Sequence, residues 1–119
     1  MDKIFEYEKL DVFPVSVELV ALIDETCKLM PRGGNEIGDQ LQGMVKSVPM
    51  SIAVAYTSET KEERVKHLTE AKNTSINIAA LLDVCMRLEM VDHDHLHANR
   101  DLIERTATLL IKMIKTESN

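Results

Sequence analysis

The sequence predicts an all-α protein, an antiparallel up-down-up-down four-helix bundle whose second helix is kinked at a proline. Three observations lead there. Helix-forming Leu, Met, Ala, Glu and Lys dominate a chain with only 4 Gly and 3 Pro in 119 residues. Its hydrophobic residues, 45% of the total, recur at spacings of three and four. Turn signals then divide the chain into four long segments with short connections, which make sequential helices run in opposite directions. A chain of this length reads as one domain, residues 1–119, able to bury a core without disulfides or metal.

Residues 1–13 read as an N-terminal arm, after which Pro14 suits a first helical turn, where its missing N–H costs nothing. Leu19, Leu22, Ile23, Cys27 and Met30 form the stripe of the first helix, which Pro31-Arg32-Gly33-Gly34 should stop. Asn35 is placed to cap the second helix, with Glu36 and Asp39 near its positive dipole end. Its stripe runs through Ile37, Leu41, Met44, Val45, Val48, Ile52 and Tyr56. Pro49 lies within it, so a kink is expected; the alternative is two helices meeting there.

Thr60 and Glu63 have capping-box spacing, and Val65, Leu68, Ala71, Ser75, Ile78, Leu82, Cys85 and Leu88 mark the third helix. Asp92 or Asp94 starts the fourth, whose stripe is Leu96, Ile103, Ala107, Leu110 and Ile114, with residues 116–119 expected to fray. A second apolar row accompanies the last two helices: Ile76, Leu81 and Val84 on one, Leu102, Leu109 and Met113 on the other. Either the core face is broad or these residues meet another protein surface, as in a homo-oligomer.

The net charge of −6 opposes general nucleic-acid binding. It is uneven, with ten acids against five bases in residues 1–59 and ten against nine in residues 60–119. Any anion-binding face belongs to the second half, where Lys61, Arg64 and Lys66 are the candidate phosphate contacts. Glu62, Glu63 and Glu70 interleave with them, so i,i+4 pairs such as Glu62–Lys66 and Glu63–His67 are the competing explanation. Cys27 and Cys85 read as thiols of a reduced, cytoplasmic protein. The opening residues hold no signal-peptide core, and the longest aliphatic run, Leu19–Ile23, is too short to span a membrane.

His93-Asp94-His95-Leu96-His97 contains metal-ligand residue types, but alternate residues on a helix point to opposite sides. No metal site is assigned there. Nor does any P-loop, nucleophile elbow or dinucleotide fingerprint occur, so neither cofactor nor catalytic residue is expected. The polar run Asn73-Thr74-Ser75-Ile76-Asn77 interrupts an apolar helix, and a buried contact of Asn73, Thr74 and Asn77 with Gln40 and Ser51 would fix helix register.

Two segments carry a family resemblance. Tyr7-Glu8-Lys9-Leu10-Asp11-Val12-Phe13 resembles the aromatic-x-x-Leu-x-Val-aromatic opening of the four-helix-bundle proteins encoded in intervening sequences of 23S ribosomal RNA genes. Gln40-Leu41 with Ser47-Val48-Pro49-Met50-Ser51-Ile52-Ala53 resembles that family's second-helix signature. Leu68, Ala71, Asn73-Thr74, Asn77-Ile78, Leu82 and Arg87-Leu88 follow its third-helix pattern. The chain departs from it at Ser51 for Asn, Val54-Ala55 for Glu-Gly, Asn73 for Gly and Asn77 for Glu, and has Gln42-Gly43 where Arg is frequent. The family is similar to the accessory variability protein of diversity-generating retroelements, a ring-shaped pentamer that works with a reverse transcriptase and RNA through a basic surface. The resemblance implies a homopentamer. The combined expectation is a non-enzymatic cytoplasmic scaffold that self-associates and presents a surface to a partner, with an RNA- or DNA-associated accessory role as the alternative.

Overall fold

Two side chains set where the second half of the protein turns helical. Thr60 Oγ1 accepts the Glu63 N–H at 3.1 Å, and the Asp92 carboxylate accepts the His95 N–H at 2.8 Å. Each satisfies a donor that has no partner within its own helix. Of the two acids offered by the sequence, Asp92 is therefore the cap.

The computed structural model describes residues 5–31 and 35–119, apart from the side chain of Asn35. A 3-10 helix at Glu6–Lys9 precedes α1 (Val12–Lys28), α2 (Asn35–Ala55), α3 (Lys61–Arg87) and α4 (His93–Ser118). The predicted arm is thus partly helical, and Pro14 takes the third position of α1, still in the first turn. The Arg32-Gly33-Gly34 stop and the Asn35 side-chain cap lie outside the described residues. α2 continues through Pro49 as one helix, which removes the two-helix alternative. The proline has no N–H to offer the Val45 carbonyl.

Each helix packs on its sequence neighbours, and α4 closes the set against α1. Leu19 and Ile23 of α1, Leu41, Val45, Val48 and Ile52 of α2, Leu68, Ile78 and Leu82 of α3, and Ile103 and Leu110 of α4 are buried in one cluster. Leu22 and Ile114, expected in the same core, are half-buried at its edge. Polar contacts at both ends run α3 and α4 in opposite directions. Near one end Arg64 pairs with Glu117 at 3.2 Å and Lys61 Nζ donates to the Asn119 carbonyl at 2.9 Å; near the other, Arg100 pairs with Asp83 at 3.0 Å. The last turn, expected to fray, is therefore held: α4 is helical to Ser118, with Glu117 anchored on α3.

The end of α3 shows a local conflict. The Met90 N–H donates to the Cys85 carbonyl at 2.8 Å and the Glu89 N–H to the Met86 carbonyl at 3.0 Å, the paired bonds of a Schellman stop. That stop needs a left-handed residue, and Glu89 supplies it at φ 60° with a Cβ that crowds the following carbonyl. Glu89→Gly is expected to stabilise the protein by about 1 kcal/mol. Differential scanning calorimetry should show a Tm rise of roughly 3–5 °C; a lower Tm would contradict this account of the turn.

Candidate functional site

The histidines at the start of α4 point to separate partners. The His95 ring donates from Nδ1 to Asp92 Oδ1 at 2.8 Å, while His97 Nε2 lies 3.8 Å from Asp101 one turn further on. Among the described residues, no three His, Cys, Asp or Glu side chains gather as a metal site would require. The Asp92 carboxyl is held below its usual range, first by the His95 backbone N–H and then by the His95 ring. Asp92 and His95 therefore serve the helix start.

The buried amide lies elsewhere than the sequence indicated. Gln40, Asn73 and Asn77 are exposed, Ser51 and Thr74 are half-buried, and no described hydrogen bond joins these five residues. Within that run Ser75 is the buried member, and its hydroxyl donates back to the Ala71 carbonyl at 2.8 Å. Asn99 of α4 is instead fully buried, donating from Nδ2 to Thr26 Oγ1 at 2.8 Å and to the His95 carbonyl at 2.7 Å. Thr26 passes the chain on by donating to the Leu22 carbonyl. The α1–α4 seam thus carries the polar contact expected between α2 and α3. The signal for its burial was its spacing: Asn99 falls three residues after Leu96 and four before Ile103, on the apolar stripe of α4.

The candidate phosphate contacts separate. Arg64 forms two hydrogen bonds to the Glu117 carboxylate, at 3.3 and 3.2 Å, and lies 5.1 Å from the Tyr56 ring centroid. Its guanidinium ties α4 to α3, so it leaves the set of free cations. Burial, then the Glu117 charge, raise the Tyr56 hydroxyl pKa, opposed by Arg64. Lys61 and Lys66 remain exposed, with Lys61 reaching Asn119. His67 pairs with Glu70 at 3.2 Å rather than with Glu63. Burial raises both cysteine pKa values, keeping the thiols protonated; Cys27 Sγ lies 3.6 Å from the Gly38 carbonyl.

The second apolar rows also divide. Leu102 is only 8% exposed and belongs to the core, while Leu81, Leu109 and Met113 pack against that core. These four side chains broaden the inward faces of α3 and α4, the first of the two readings of the second apolar rows. Ile76 and Val84, each 49% exposed, remain on the outside of α3.

A second exposed apolar surface was not singled out in the sequence. Phe13, Val17 and Val20 of α1 form one wall of a groove of about 590 Å³, and Lys46, Pro49, Met50 and Ala53 of α2 form the other. Tyr7 joins at the Phe13 end, its ring 4.6 Å from that of Phe13. Met50 is 64% exposed and Val17 45%. The segments Tyr7–Phe13 and Ser47–Ala53, far apart in sequence, therefore meet along one groove. The signal available earlier was the spacing of Lys46, Met50 and Ala53, which share a side of α2 off the core stripe.

A family model described as 23S rRNA-intervening sequence protein matches residues 8–112. A search of curated proteins finds no match.

Arg64→Ala should destabilise the fold by about 1–2 kcal/mol through loss of the paired carboxylate and the ring contact. Lys66→Ala should stay within about 0.5 kcal/mol. Urea midpoints check both, and equal losses would return Arg64 to the free surface. A carboxyl held below its usual range stabilises the fold above about pH 4, and that stability is lost as pH falls through the folded value. Asp92→Asn keeps a capping side chain without the charge. Its Tm should lie below that of the unsubstituted protein at pH 6, with the gap closing below about pH 4; a gap independent of pH would contradict the assignment.

Proposed function

Because the chain belongs to the 23S rRNA-intervening sequence protein family, we propose that it is a non-enzymatic helical scaffold that self-associates and offers the assembled surface to a macromolecular partner. The observation that carries this reading is the convergence of the two segments most typical of the family on one open apolar groove. Met50 projects there at 64% exposure although the core lies one helix face away. A bundle helix has no internal need for such a residue, and contiguous exposed apolar surface favours a protein contact. Asp92, by contrast, serves a helix cap, and Arg64 and Glu117 serve the α3–α4 seam. The proposal includes a homopentamer in the cytoplasm, the arrangement implied by the family's similarity to the retroelement accessory protein.

Light scattering on size-fractionated, untagged protein tests it. The expected mass is five times the 13.4 kDa of one chain. A single chain mass at micromolar concentration would remove the self-associating scaffold. The second reading, an RNA- or DNA-associated accessory protein, is favoured by the nearly balanced charge of residues 60–119 and by exposed Lys61 and Lys66 on α3. Saturable binding of a fluorescent structured RNA that weakens as salt rises would place that reading first.

A further inference from the structure

Among the described residues, two of the exposed apolar surfaces share no residue and differ in shape. One is the α1–α2 groove, concave and walled by Val17 and Met50. The other is a ridge on α3, where Ile76, Ala80 and Val84 recur every fourth residue on the side away from Leu68, Ala71, Ile78 and Leu82. Repetition at four residues keeps side chains on one helix face. The ridge therefore presents two branched side chains with the small Ala80 between them.

We infer that the ridge of one copy seats in the groove of the next, so that self-association is head-to-tail. This rests on the self-association proposed above and adds which surfaces meet. The lengths agree. Ile76 to Val84 spans about 12 Å along α3 and Lys46 to Ala53 about 10 Å along α2, at about 1.5 Å per residue. The shapes agree as well: the exposed, unbranched Met50 chain fits the gap at Ala80, and methionine adapts to an irregular partner surface. The charges are complementary. Among the described residues Lys46 is the one charged residue lining the groove, and Asp83 flanks the ridge between Ala80 and Val84. Asp83 accepts two hydrogen bonds from Arg100 in an exposed pair, a surface contact of the kind that contributes little. Because groove and ridge are different patches, the contact is heterologous and each subunit keeps one of each for its neighbours.

The test uses two variants of the full chain, Met50→Glu to spoil the groove and Val84→Glu to spoil the ridge. Both positions are exposed, and circular dichroism should show unchanged helicity for each. Masses are then measured for the unsubstituted protein, for each variant alone and for their equimolar mixture. The inference expects an assembled unsubstituted protein, monomers for each variant alone, and a dimer in the mixture. In that dimer the intact groove of the Val84→Glu chain takes the intact ridge of the Met50→Glu chain, and neither spoiled patch can extend it. An unsubstituted protein that assembles while either variant keeps its full mass overturns the ridge-and-groove contact and leaves self-association standing. Monomeric variants whose mixture stays monomeric overturn it too, and an unsubstituted protein that is monomeric removes both.

Discussion

Every helix in this bundle can turn one stripe inward, and that constraint organises the rest of the molecule. Four stripes meet along one axis, led by Leu19 and Ile23, Leu41 to Ile52, Leu68 to Leu82, and Ile103 with Leu110. Burying a side chain of this size contributes about 1.5–3 kcal/mol, so the shared core outweighs any single polar contact. Apolar residues that fall off a stripe have no internal destination. Leu102, Leu109 and Met113 escape this because the inward face of α4 is broad, whereas Met50, Ile76 and Val84 do not. The outer apolar surfaces are thus what remains after the core is filled.

The polar interactions follow the same geometry. Where helices begin, Thr60 and Asp92 supply acceptors that the backbone lacks. Where seams need register, Asn99 reaches Thr26 across α1 and α4, and Arg64 reaches Glu117 across α3 and α4. The Asn99 contact is the costly one, since its Oδ1 is buried without a described partner. A buried acceptor in that state costs about 1–3 kcal/mol, which fits a contact kept for register rather than for net stability.

The fold was legible because the core periodicity and the Thr60 and Asp92 signals agree at every level, local and global. The resemblance of Tyr7–Phe13 and Ser47–Ala53 to the 23S rRNA-intervening sequence family pointed the same way, and the match over residues 8–112 bears out the family. Less legible was which polar residue is buried. Asn73 and Asn77 looked anomalous within an apolar helix, yet both sit on its outer side; Asn99, which shares the spacing of Leu96 and Ile103, is the buried one. Helical spacing tells which residues share a face, but it does not say how wide the inward face is. That width depends on how closely the neighbouring helix approaches, which also explains why Leu102 falls inside and Val84 outside. The groove escaped notice for a related reason: its walls belong to two helices, and neither wall is a pattern by itself.

The central claim is that the apolar side chains left outside the core are covered by protein. Peroxide oxidation of the native protein, followed residue by residue by peptide mass spectrometry, tests it most directly, since thioether oxidation tracks access. Met50 is 64% exposed in the single chain, whereas Met30, Met44, Met86, Met90 and Met113 are each half-buried. The account predicts that Met50 oxidises more slowly than these five. Fastest oxidation at Met50, the order that the single chain alone dictates, would contradict it.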